Sequence, residues 1–175
     1  MHLQRRYLAA LFPIVTLILG CQQRQETADQ VIDVRSTAMR LAQESLIIDT
    51  HIDLPYRLHE KPDDVANRTE DGHFDLVRAK EGGLDAAFMS IYVPASLQET
   101  GGGRILADEL IDLVENIAAQ SPESFAIARS VEEVRTLFAQ GIFALPMGIE
   151  NGAAIEDDLS NVQHFYDRGV RYITL

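Results

Sequence analysis

Leu46-Ile47-Ile48-Asp49-Thr50-His51-Ile52-Asp53-Leu54-Pro55 is the stretch on which the reading of this chain turns. It has the form of a short strand. Leu46, Ile48, Ile52 and Leu54 are apolar, with Thr50 the one interruption, while the alternate positions are Ile47, Asp49, His51 and Asp53. Successive strand side chains point to opposite faces, so the pattern predicts three ionisable groups on one side of an otherwise buried element. Burying such groups is costly unless something pairs them, and a metal ion pairs a histidine with carboxylates directly. The plainer alternative is a strand that ends in a turn at Asp53-Leu54-Pro55.

Outward from this stretch, strands alternate with helices. Val31, Val34, Ala38, Leu41 and Ala42 recur at helical spacing before it. Residues 55–74 are polar and predict a loop, and Phe74 to Glu81 predicts a short helix ended by Gly82-Gly83. Leu84 to Val93 predicts a second strand, with Ala87, Met89, Ile91 and Val93 on one face and Phe88, Ser90 and Tyr92 on the other. The triple glycine Gly101-Gly102-Gly103 lacks the Lys-Ser/Thr of a phosphate loop. Leu106, Leu110, Leu113, Val114 and Ile117 mark an amphipathic helix, and Phe125 to Ala128 a short extended piece. Ser130 with Glu133 forms a capping box that opens a helix ending near Gly141. Ile142 to Ile149 predicts a third main strand, closed by Glu150. A helix carries Leu159, Val162, Phe165 and Tyr166, and Val170 to Leu175 begins a fourth strand.

This alternation predicts a parallel α/β sheet. In a (β/α)8 TIM-type barrel, sites lie at the C-terminal strand ends. His51, Asp53 and Glu150 all fall at such ends, so two distant strands bring metal-type ligands to one rim. Four main strands make about half a barrel.

The 175 residues are 46% hydrophobic and 24% charged, enough apolar content for one packed domain or part of a larger one. A formal charge of −12 leaves no basic patch to neutralise phosphates, which argues against a nucleic-acid binder. Residues 1–20 read as a secretory signal: Arg5 and Arg6 precede an apolar run from Leu8 to Leu19 that is short for a membrane span. Ile18-Leu19-Gly20-Cys21 resembles a bacterial lipobox. Cys21 is the only cysteine and cannot form an intrachain disulfide, so its place at the cleavage point favours acylation; the alternative is an ordinary signal peptide. Residues 21–30 read as a polar tether, and residues 31–175 as the barrel portion. A lipid anchor would hold the protein in the bacterial cell envelope facing the periplasm, and Gln22 after the cysteine favours the outer membrane.

Several ordered segments together resemble the membrane dipeptidase (renal dipeptidase) family, the M19 metallopeptidases of the amidohydrolase type. They are Ile48-Asp49-Thr50-His51-Ile52-Asp53-Leu54-Pro55; Asp75-Leu76 with Arg78 and Glu81-Gly82-Gly83; Phe88 to Pro94; Gly148-Ile149-Glu150-Asn151-Gly152; and Phe165-Tyr166 through Gly169 to Leu175. The resemblance implies a binuclear zinc site in a (β/α)8 barrel that hydrolyses dipeptides through a metal-activated bridging water. It implies that His51 and Asp53 bind the first metal and that Glu150 bridges both. Asp49 would be a supporting residue that orients His51 or its neighbours, or else a strand-end hydrogen-bonding residue. A homodimer is a further expectation.

Asn151 and Ala153 depart from the glycine and histidine common in the family. The resemblance also implies that the second metal's histidine ligands lie downstream of Leu175. His59 and His73 read as solvated loop residues and His164 as exposed, so none replaces them. The expectation is an N-terminal portion that holds at most one metal and has little activity alone. Two other readings stand beside it: a non-catalytic envelope lipoprotein remnant that binds a ligand or partner, and a different barrel metal-hydrolase acting on amides or lactones. The H-x-D of the first strand, in place of H-x-H, argues against most of that wider group.

Overall fold

The computed structural model describes residues 33–175. The signal segment 1–20, Cys21 and the tether 21–30 lie outside the described residues. The chain divides into two units at Glu44/Ser45. In the first, residues 33–44 form helix α1, where Ser36 Oγ donates to the Asp33 carbonyl at 3.0 Å and Arg40 pairs with Glu44 at 2.6 Å, one helical turn on.

The second unit is built on one parallel sheet. Its strands are β1 (Ile48–Ile52), β2 (Ala86–Tyr92), β3 (Phe125–Ile127), β4 (Phe143–Leu145), β5 (Met147–Glu150) and β6 (Val170–Thr174). Every pairing is parallel. The expected strand 142–149 is divided at Pro146, which has no N–H to donate to a ladder. The division does not separate it from β2, because the Pro146 carbonyl accepts from Met89 N at 2.8 Å. On its other edge, β4 pairs with β3 and β5 pairs with β6. In space, β1, β2, β4–β5 and β6 therefore follow chain order, as successive barrel strands do.

The core lies on one side of β2. Ala87, Met89, Ile91 and Val93 are fully buried together with Ala107, Leu110, Ile111 and Val114 of helix α5 (Gly103–Gln120). Leu54 and Leu58 of helix α2 (Leu54–Glu60) join the same cluster. Part of the expected loop 55–74 is thus a helix. His59 and Glu60 face water while Leu54, Pro55 and Leu58 face the core, and Pro55 near the first position pre-sets the helical φ.

Helix α3 (Leu76–Gly82) starts two residues later than Phe74, because the Asp75 side chain caps it by accepting from Arg78 N at 2.8 Å. A four-residue helix α4 (Leu97–Thr100) and a 3-10 turn (Gly152–Ile155) were not foreseen. Helices α6 (Val131–Gln140) and α7 (Ser160–Asp167) fall where expected. Among the described residues, no helix is long and apolar enough to cross a membrane.

The register of β1 corrects the reading of its faces. Ile48 lies beside Ala86 and Asp49 beside Ala87, but Ile52 lies beside Met89. Thr50 and His51 together therefore stand opposite Phe88, which is a β-bulge. The extra residue interrupts the alternation. Asp49 falls on the Ala87 face, and His51 on the opposite face with Phe88 and Ser90. Nor is β1 buried: Ile48 to His51 are exposed, since among the described residues the strand pairs along one edge only.

Candidate metal centre

Two strands end and one helix begins at one place. The bulged end of β1 presents His51, the first residue after β1 is Asp53, and Glu150 is the last residue of β5. Asp53 stands at the N-cap of α2, where the chain leaves the extended conformation at φ −79°, ψ 37°. His51 Nε2 lies 2.9 Å from Glu150 Oε2 and 3.4 Å from Asp53 Oδ1. One ligand atom from each of the three residues lies within 4.8 Å of the others. One imidazole nitrogen and two carboxylates, partly open to solvent, form a donor set of the type that holds zinc with positions left for water or substrate. The three residues selected from the sequence are thus brought together.

Asp49 is not at the imidazole. Its Oδ1 accepts from the His51 backbone N–H at 2.9 Å, which holds the bulge but not the ring. Two further residues support Glu150. Ser90, fully buried, donates from Oγ to Glu150 Oε2 at 3.2 Å. Its signal in the sequence was the one serine within the otherwise apolar and aromatic run of β2. Asn151 turns the chain immediately after Glu150 at φ 84°. Asparagine is among the side chains that tolerate positive φ best, which accounts for its standing where glycine is common. Its amide donates to the Val93 carbonyl at 3.0 Å, its Oδ1 accepts from Ala153 N at 3.0 Å, and its backbone N–H donates to Thr174 Oγ1 at 3.1 Å. The turn is thereby tied to β2 and β6, which holds Glu150 at the rim.

At His51 and Asp53 opens a cleft of about 280 Å³, lined also by Ile52, Leu54, Arg57, His73 and Phe74. Arg57 lies against Gly72, where a Cβ would come within 2.9 Å of its Cζ, and its Nη1 is 3.4 Å from Asp63. His73 lines this cleft on the loop as expected, whereas His59 belongs to α2, exposed. His164 is not exposed as expected but half-buried, its Nε2 2.7 Å from Asp108 Oδ1 of α5. Close by the ligands is Tyr172 of β6. Burial holds its phenol above the ordinary pKa, and the Glu150 and Asp53 carboxylates add to this by disfavouring a further negative charge.

Residues 35–175 match the family model described as membrane dipeptidase, peptidase family M19. The chain belongs to the membrane dipeptidase family. Among the relatives of this dipeptidase-family chain, Dipeptidase 3 of Mus musculus is 32% identical over 150 residues, covering 81% of this chain and 29% of the relative. Dipeptidase 3 of Homo sapiens is 30% identical over 151 residues, covering 83% of this chain and 30% of the relative. The chain thus spans somewhat under a third of the length of these curated relatives.

Two solved structures are also similar. The probable dipeptidase PvdM from Pseudomonas aeruginosa has a TM-score of 0.70 at 26% identity, over 81% of this chain and 37% of that one. Dipeptidase AC, a metallopeptidase of family M19, has a TM-score of 0.64 at 27% identity, over 73% of this chain and 41% of that one. The parallel α/β sheet of this chain is the partial TIM-type barrel expected of such a dipeptidase.

Proposed function

We propose that the protein is a zinc-dependent dipeptidase, with His51, Asp53 and Glu150 as ligands of one zinc and Glu150 shared with a second. The observation that carries this reading is the convergence of His51 Nε2 with the two carboxylates from separate elements, all within 4.8 Å. Membership of the dipeptidase family supports dipeptides as the substrate class. The three donors are intact, which favours a catalytic reading over that of a remnant. What zinc supplies when bound is Lewis acidity toward water and toward the peptide carbonyl. The protein's own contribution is to hold the carboxylates. Ser90 and the Asn151 turn fix Glu150, and the α2 N-cap position fixes Asp53. Attachment to the cell envelope through an acylated Cys21 belongs to the same proposal and rests on the sequence.

The test is dipeptide hydrolysis, with and without a chelator, by a full-length protein that joins this chain to the second metal's ligands; the 175 residues by themselves are expected to turn over little. Chelation abolishes turnover and added zinc restores it, while His51→Ala lowers kcat/KM by about 100-fold or more. Chelator-insensitive hydrolysis, or none on any dipeptide, rejects the reading.

A further inference from the structure

We propose that Tyr172 is a positioning residue for the metal ligand His51, its phenol oxygen accepting the imidazole Nδ1–H while its own hydroxyl donates to the Thr50 carbonyl. This rests on the reading above, in which His51 is a ligand through Nε2.

The sheet register prepares the arrangement. Ser90, Gly148 and Tyr172 stand side by side on β2, β5 and β6, and cross-strand neighbours share a face. The ring of Tyr172 lies across Gly148, where a Cβ would be 2.1 Å from its Cζ. Only glycine leaves room for it. Phe88 flanks the ring from β2, with centroids 5.3 Å apart and planes inclined by 46°. The hydroxyl thereby reaches from β6 to the bulge of β1, 3.3 Å from the Thr50 carbonyl and 3.5 Å from His51 Nδ1.

The hydrogen inventory then assigns each role. A carbonyl can only accept, so the phenol donates to Thr50. The phenol oxygen keeps a lone pair for Nδ1–H. A neutral imidazole with its proton on Nδ1 has its free pair on Nε2, the nitrogen that faces Glu150 and Asp53. A metal-ligating histidine commonly donates its other N–H to an oxygen in this way, which fixes both tautomer and ring orientation. Distances of this kind shorten when a site is filled. The bulge contributes to both ends of the link, since Thr50 and His51 are the two residues opposite Phe88.

Tyr172→Phe keeps the ring and its contact with Phe88 and removes only the oxygen. Zinc affinity of the full chain, read by competition with a chromophoric chelator, is expected to fall about 10- to 100-fold with an unchanged circular dichroism spectrum. Phe88→Leu, which alters packing around the ring and leaves the hydroxyl, changes it by less than about threefold on the same grounds. Equal zinc affinity of wild type and Tyr172→Phe overturns the proposal. Should Tyr172→Phe not fold, nitrogen-15 NMR of the zinc-loaded wild type decides: a protonated Nδ1 and metal-shifted Nε2 at His51 support it, and the reverse pattern overturns it. A wild type that binds no zinc overturns the underlying metal reading and this inference with it. Wild-type binding with an unaffected variant overturns this inference alone.

Discussion

At the scale of residues, one oxygen of Glu150 has two neighbours. His51 Nε2 and Ser90 Oγ both approach Oε2, at 2.9 and 3.2 Å. The serine can donate to the carboxylate in every state of the site, and the imidazole meets it where a metal would stand. Ser90→Ala removes a buried donor without opening a large cavity. It is expected to weaken zinc binding about 10-fold while Glu150→Gln weakens it at least 100-fold, both measured by chelator competition. An equal effect of the two would mean that Ser90 is itself part of the ligand set.

At the scale of elements, the start of α3 is held by a buried carboxylate. Asp75 is fully buried and accepts from Arg78 N, Thr69 N and Arg78 Nε at 2.8, 3.1 and 2.6 Å. Burial pushes its carboxyl up, but the bonds from Arg78 and Thr69 outweigh it and hold the pKa at about 2. The depressed pKa means that the folded state favours the carboxylate. Its stabilisation is complete above the unfolded value near 4 and is lost as pH falls toward about 2. Asp75→Asn therefore lowers stability at pH 7 and flattens the decline between about pH 4 and 2, as urea titrations would measure. Asp75→Ala costs about 2–3 kcal/mol at neutral pH, through the lost cap and the unpaired Thr69 N–H.

Capping of this kind is legible in sequence because it acts over three or four residues. The Ser130 cap is one case, with Glu133 N donating to Ser130 Oγ at 3.1 Å. The returning arm of the box differs, since the Glu133 carboxylate accepts from Arg129 N and not from Ser130. Helix α2 was missed for the opposite reason. Its buried face consists of only three residues within a polar segment, too short for helical periodicity to emerge.

Across the whole molecule, a charge network joins distant parts of the chain. Arg168, at the end of α7, contacts Asp108, Asp112 and Glu115 of α5 at 2.9, 2.5 and 3.1 Å. His164 shares Asp108. The arginine is mostly shielded from water, so the network is screened less than an exposed pair. Arg168→Ala leaves three acids facing one another and costs about 1–2 kcal/mol. Thermal melts should show the loss shrinking as salt is raised. A loss independent of salt would assign it to the packing of the arginine stem.

The alternation of strand and helix, the Ser130 cap and the identity of the three metal-type ligands were determined by the sequence alone. Each depends on spacing within an element or on the chemical nature of a side chain, and both are written locally. The tertiary structure decided which face each ligand takes. The two-residue period put Asp49, His51 and Asp53 together, and the bulge opposite Phe88 separated Asp49 from His51. It also decided what surrounds them: Ser90 on Glu150, Asn151 turning at φ 84°, and Tyr172 lying over Gly148. The contacts of Ser90 with Glu150 and of Tyr172 with Thr50 and His51 join residues 60 to 122 positions apart, and only the register between strands brings them into reach.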